Sequence, residues 1–306
     1  MSTTNRRRAL PKTRDSLSFV YFEHCRIEQD AKAIAVLQEK DRYRIPCASI
    51  STLLLGPGTA ITHAAIKTLA ENACQVHWVG AEALRFSTSG QGSVSNTERL
   101  FHQARLWADS LQRLTVVRRM YQFRFQEDLS ADLTLQQIRG LEGVRVRTLY
   151  SQLSKETGVE WKGRNYKPDD WNDANPINKA LSIANACLYA VCQSALTSVG
   201  YSTALGFIHT GKPLSFVYDV ADLYKAETTI PAAFAAVSET HFDLEELVRR
   251  KCREKFFQAR LMQRLIKDVD QVLQYAGADE TAEPECFLWD DRIEQVEGGK
   301  DWSEAQ

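Results

Sequence analysis

The chain has 306 residues, 44% hydrophobic and 25% charged, which places it among ordinary globular proteins long enough for two domains. No run of about 18 uncharged apolar residues argues for a membrane span, and Arg6-Arg7-Arg8 has no apolar segment behind it, so no secretory signal is expected. The formal charge of −1 hides an asymmetry: residues 279–306 hold ten Asp/Glu against two Lys/Arg, net −8, which leaves 36 basic and 29 acidic residues in 1–278, net +7. A basic body with an acidic tail fits a polyanionic partner and equally a well-solvated surface. Seven cysteines without a C-x-x-C pair read as reduced thiols of a cytoplasmic protein, not as a disulfide frame or zinc site.

In chain order, the first segment predicts short strands at Leu17–Phe22, Ala33–Leu37, Ile45–Leu55 and Gln75–Val79, with a turn at Gly56-Pro57-Gly58. Thr62 is placed to cap a short helix over 63–72. Gly80 and the run Ser87–Ser93 read as the loop that ends a β-rich domain over 1–92. From Thr97 the pattern turns helical: Leu100, Ala104, Trp107, Leu111, Leu114, Val117, Tyr121 and Phe125 form a long amphipathic stripe. Further helices are expected at Leu135–Lys155, Pro176–Ser198, Phe216–Tyr224 and Leu244–Tyr275. The last is strongly basic, with Arg249 and Arg253 among its charges, most of which read as a solvated helix face. The resulting division is a β-rich domain over 1–92, a larger helical domain over 93–278 and an acidic, aperiodic tail over 279–306 in which only Phe287, Leu288 and Trp289 are equipped to dock.

The densest chemistry lies in Gly206–Asp222, where His209, Lys212, Asp219 and Asp222 interrupt a mostly apolar run. Buried charge is costly unless it is paired or holds a metal. Asp219 and Asp222 are three apart, on one face of the expected helix, and His209 lies on the turn entering it. Carboxylates with an imidazole suit Mg²⁺ or Mn²⁺; the plainer reading is an acidic pair that favours a helix N-terminus. Gly206-x-x-x-x-Gly211-Lys212 also matches most of a phosphate loop, but Pro213 stands where Ser or Thr is needed, so nucleotide binding is rejected. A third candidate is Arg139-Gly-Leu-Glu142-Gly-Val-Arg145, whose glycines permit close backbone approach and whose arginines offer a phosphate-facing surface. The plainer role of Glu142 is an i,i+3 pair with Arg145.

These blocks carry a resemblance. Arg-Gly-x-Glu-Gly around Glu142, the run from His209 to Asp222, and Gly56-Pro-Gly-Thr with His63-Ala-Ala are similar to the CRISPR-associated integrase of the spacer-adaptation complex, subtype I-E branch, over about Pro11 to Ile266. The resemblance implies an α+β fold, an N-terminal β-sandwich-like domain followed by a larger all-helical catalytic domain. It implies a homodimer that binds DNA and a small ferredoxin-like partner, and inserts foreign DNA at a CRISPR repeat by 3′-hydroxyl attack. Glu142, His209 and Asp222 fall on the metal ligands, Asp219 on a supporting acidic position, and Lys212 beside the reacting phosphate. Arg85, Tyr166, Trp171 and Tyr189 fall on positions near the DNA. Arg139, Arg145, Arg249 and Arg253 are further candidate DNA contacts, and Phe22 aligns with an aromatic wedge against the duplex end, with Tyr21 expected to pack inward. Two departures are Ala60 and Lys67, which stand where close relatives carry arginine. Two other functions stay open on the residues: a metal-dependent structure-selective nuclease, and a non-catalytic DNA-binding scaffold.

Overall fold

The protein is described here by a computed structural model covering residues 19–38, 41–72, 74–80, 86–90, 97–164, 175–239, 243–277, 287–290 and 294–297. The fold is mixed α+β, with sheets first and helices after. The N-terminal part contains β1 (Val20–Phe22), β2 (Arg26–Asp30), β3 (Ala33–Gln38), β4 (Asp41–Pro46), β5 (Thr52–Leu55), β6 (Ala60–Ile61), α1 (His63–Glu71), β7 (Gln75–Val79) and β8 (Phe86–Gly90). They form two four-stranded sheets, in the orders β1-β5-β7-β8 and β4-β3-β2-β6. The first is parallel across β1, β5 and β7, with β8 antiparallel at its edge.

Period-2 alternation explains how the first sheet joins two cores. Leu53 and Leu55 point to one face and pack with Val76, with Ile27, Ile34 and Val36 of the second sheet, and with Ala65 and Leu69 of α1. Leu54 points to the other face and joins the helical core together with Phe19. All four β5 residues are therefore buried, as expected for a parallel strand covered on both faces. His77 of β7 is bonded to Ser194 across this junction at 2.8 Å, and burial pushes its pKa down to about 4.

The helical part runs α2 (Glu98–Ala108), α3 (Ser110–Phe125), α4 (Leu135–Thr157), α5 (Pro176–Ser198), α6 (Ser215–Asp222), α7 (Thr229–Glu239), α8 (Leu244–Gln258) and α9 (Leu261–Leu273). α5 is its axis, capped by Asn175 with Pro176 opening the first turn, and α6, α7, α8 and α9 all pack on it. By length and composition α5 could cross a membrane, with a mean hydropathy of 1.3 over its most apolar window; 78% of that window is buried inside the protein, which makes it a core helix. The six described cysteines are free thiols and buried, as expected for reduced side chains.

Several expected elements differ. The run Ile45–Leu55 is two strands separated by a 3₁₀ turn at Cys47–Ser49, because Pro46 cannot donate to the ladder. The stripe through Phe125 breaks at Asp109, whose carboxylate caps α3 through the N–H groups of Leu111 (2.8 Å) and Gln112 (2.9 Å). The expected Leu244–Tyr275 helix breaks at Arg260, which takes a left-handed φ of 48°. Ser87–Gly90, read as loop, is part of the edge strand β8, whose small hydroxyl residues hide its pairing with β7. α7 was missed because it is apolar all round and buried. Within the tail, β9 (Phe287–Asp290) pairs antiparallel with β10 (Glu294–Glu297), strands that the sequence pattern did not indicate.

Candidate active site

The site forms where α3, α4, α6 and the loop before α6 converge. Each piece is fixed by ordinary local chemistry. Thr134 and Gln137 make a reciprocal capping box that starts α4, which carries Glu142 two turns further on. The loop Tyr201–Leu214 is held from outside by α2 and α3. Fully buried Gln103 donates to the carbonyls of Ser202 (3.0 Å) and Leu205 (3.1 Å) and accepts from the Ser202 N–H (2.9 Å). The Trp107 indole and the Arg113 guanidinium donate to the carbonyls of Gly206 and Phe207. Gly206 itself is required: a Cβ there would lie 2.3 Å from the His209 carbonyl oxygen and 2.7 Å from Ser215.

Asp219 locks the same loop from within. It is fully buried, and its oxygens accept the N–H groups of Phe207 (2.6 Å), Ile208 (3.0 Å) and His209 (2.8 Å) and bond the His209 Nδ1 at 2.7 Å. That last bond, against the opposing effect of burial, raises the His209 pKa; Asp222 adds to the rise. Engaging Nδ1 directs the Nε2 edge of the ring away from Asp219. Both oxygens of Asp219, expected at a supporting acidic position, are engaged by the loop.

Asp222 ends α6 one turn later in quite different company. Lys225 Nζ stands 2.6 Å from its Oδ1, and Arg124 of α3 stands 3.9 Å from its Oδ2. The same Arg124 donates to Oε1 of Glu142, so one guanidinium joins two carboxylates that lie eighty residues apart in the chain. Glu142 Oε2 is buried without a hydrogen-bond partner. Burial alone would lower the Lys225 pKa, but the Asp222 carboxylate outweighs it and holds it above its ordinary value. Aromatic rings close the circuit: Lys225 lies 4.9 Å from the Tyr189 ring, Tyr189 packs edge-on against Tyr218, and Tyr218 edge-on against His209. Beside the carboxylates is a cleft of about 210 Å³ lined by Arg124, Glu142, Arg145, Tyr150, Asp222 and Lys225.

The structure thus brings Glu142, Asp222, His209 and Tyr189 into one neighbourhood. Among the described residues no three His, Cys, Asp or Glu side chains stand close enough to hold an ion as they are; cations sit between the carboxylates instead. Glu142 pairs with Arg124 and not with Arg145, whose guanidinium lies over the Phe125 ring. The glycines beside Glu142 do not serve close packing within the chain: a Cβ at Gly140 would meet nothing within 4 Å, and one at Gly143 only the Arg147 side chain at 3.5 Å. Arg139 and Lys212 are exposed. Lys67 lies apart on α1, 4.0 Å from Glu71. Arg249 and Arg253 are not simply solvated; they lie over the rings of Tyr21 (4.5 Å) and Phe19 (5.5 Å). The expected split at β1 also differs: Phe22 packs against the N-terminal core, and Tyr21 against the helical one, each half-buried. Arg85, Tyr166 and Trp171 lie outside the described residues. Arg124, Lys225 and Tyr218 were missed by sequence reasoning. Lys225, three residues after Asp222, was the detectable one, because i,i+3 places them together.

The profile of the family described as CRISPR associated protein Cas1 matches residues 19–128 and 123–271. The CRISPR-associated endonuclease Cas1 2 of Thermus thermophilus is 46% identical over 306 residues, spanning 98% of this chain and 94% of the relative. The CRISPR-associated endonuclease Cas1 of Clostridium sp. is 39% identical over 297 residues, spanning 96% of this chain and 98% of the relative. Among solved structures, one described as the crystal structure of a TtCas1–DNA complex superposes with a TM-score of 0.81 at 46% identity, over 92% of this chain and all of that one. These relatives are endonucleases by name, and the chain is a nuclease- or integrase-type enzyme. The chain belongs to the Cas1 family of CRISPR-associated endonucleases.

Proposed function

We propose that this enzyme inserts short foreign DNA into a CRISPR array, as a member of the subtype I-E branch. In the reaction, a DNA 3′-oxygen attacks a repeat phosphodiester; one P–O bond forms, one breaks, and the hydroxyl proton ends on the leaving oxygen or solvent. The observation that carries this reading is the convergence of Glu142 and Asp222 on Arg124, with a buried, partnerless Glu142 oxygen beside them. A buried carboxylate oxygen without a partner is costly, and a hard cation is its natural complement. Glu142, Asp222 and the His209 Nε2 would hold Mg²⁺ or Mn²⁺, which when bound polarises the phosphate and stabilises the leaving oxygen. Asp219 serves as a positioning residue, fixing the imidazole through Nδ1. Exposed Lys212 offsets charge on the phosphate, and the bare helix face at Gly140 leaves room for a DNA backbone beside Glu142.

DNA is bound through the basic body. Arg139, Arg145 and Tyr189 border the site; Phe22, Lys67, Arg85, Tyr166, Trp171, Arg249 and Arg253 contribute further out. The working unit is a homodimer with a small ferredoxin-like partner, acting in the cytoplasm. The two N-terminal sheets form a sandwich-like domain over 1–92, and the helices a catalytic domain over 93–278. A strand-transfer assay with Mg²⁺ or Mn²⁺ tests the reading. Joined product that disappears in Glu142→Ala, His209→Ala and Asp222→Ala, with DNA affinity retained, supports it. Cut product alone makes the protein a structure-selective endonuclease with water as nucleophile, and binding alone a scaffold. Full activity of His209→Ala would sink the ligand assignment.

A further inference from the structure

Arg124 and Lys225 do more than balance charge. Each is shielded from water, with side chains 14% and 23% exposed, and each touches a carboxylate of the candidate ligand set. Within the paired set two carboxylates and two cations balance, and Arg145 lines the same cleft. A divalent ion entering it gains little net attraction unless a cation withdraws or an anion arrives. Both cations have somewhere to withdraw to, because Arg124 already lies over the Tyr121 ring at 5.3 Å and Lys225 over the Tyr189 ring at 4.9 Å. Both also line the cleft beside Glu142, where a phosphodiester would bring negative charge.

From this geometry we infer that Arg124 and Lys225 are positioning residues that compete with the divalent ion for Glu142 and Asp222, and that turn to DNA phosphate when the ion takes their place. Ion and DNA therefore bind cooperatively, and the ion binds poorly to the free protein. The inference rests on the metal-site reading above, and its test separates the two.

The experiment is calorimetric titration of the full chain with Mn²⁺, with and without a short DNA duplex. Without DNA, Lys225→Met and Arg124→Gln should bind Mn²⁺ about tenfold more tightly than the parent, as expected for removing one unit charge beside the ion. Lys225→Arg, which keeps the charge, should match the parent. Duplex DNA should tighten Mn²⁺ binding about tenfold in the parent and clearly less in the two neutral variants. Thermal melts identify which variants fold, and either neutral variant alone suffices to decide. Unchanged or weaker Mn²⁺ binding in a folded neutral variant overturns the inference, as does a parent whose Mn²⁺ affinity ignores DNA. Glu142→Gln reports separately on the underlying reading: loss of Mn²⁺ binding there upholds the site whatever Lys225 does, and parent-like binding removes the site itself.

Discussion

Asp219 and Asp222 sit one helical turn apart on α6, yet their surroundings are opposite. Asp219 is fully buried and satisfied by donors fixed in the loop: three backbone N–H groups and the His209 imidazole. Asp222 is held by charges at the ends of long side chains, Arg124 and Lys225. Backbone donors cannot leave without unfolding the loop, whereas a guanidinium or ammonium can exchange for another cation. One end of α6 therefore supplies rigidity, and the other an exchangeable electrostatic position. Identical residue types on one short helix were sorted into these roles by what packs around them.

The largest expected effect breaks this contrast on the rigid side. Asp219→Ala should cost about 3–5 kcal/mol in denaturant unfolding, because it strands buried donors. Asp222→Asn should cost only about 1 kcal/mol, since Arg124 keeps Glu142 as partner. Comparable losses in the two variants would show that the roles are not divided as described.

Next in size is His77, a fully buried imidazole bonded to Ser194, whose pKa shifts opposite to that of His209. Its pKa falls to about 4 from an ordinary 6.5, so the unfolded chain binds its proton first. Its contribution to stability is complete above pH 6.5 and is lost as pH falls toward 4, by about 3 kcal/mol in all. Melts across that range should show the slope, and His77→Gln should flatten it if the variant folds. A parent that is equally stable at pH 4.5 and 7 would remove the assignment.

His209 moves the other way. Its pKa is raised first by the Asp219 bond, so the stability from this pair is full below pH 6.5 and lost as pH rises through the raised value. In metal-free protein, an NMR titration of the ring should show a lower pKa in Asp219→Asn. No change would mean that the carboxylate does not govern the ring.

The smallest expected effect concerns β1. Tyr21 and Phe22 feed different cores, so Tyr21→Ala and Phe22→Ala should each lower stability by about 2 kcal/mol. A Phe22→Ala protein as stable as the parent, and weaker only in DNA-end binding, would restore the wedge as its sole role.

Much of this was written locally in the chain. The period-2 runs gave β3 and β7, the 3.6-residue stripe gave the α2–α3 region, and Thr62 and Pro176 marked helix starts where they occur. The dense run from His209 to Asp222 marked the candidate site, because charge in an apolar context is costly and needs a cause. What one-dimensional pattern could not give was partnership. Asp109 and Arg260 break helices whose apolar periodicity continues across them, and β2, β4, β6 and β8 are too polar or too short to announce themselves before their partners are known. Nor could spacing alone tell Asp219 from Asp222, or find Arg124, eighteen residues before the glutamate it binds. Side-chain type and spacing are properties of the chain. Burial, and the choice among donors that burial enforces, exist only once distant segments have packed, and it was packing that gave one carboxylate backbone donors and the other charged side-chain partners.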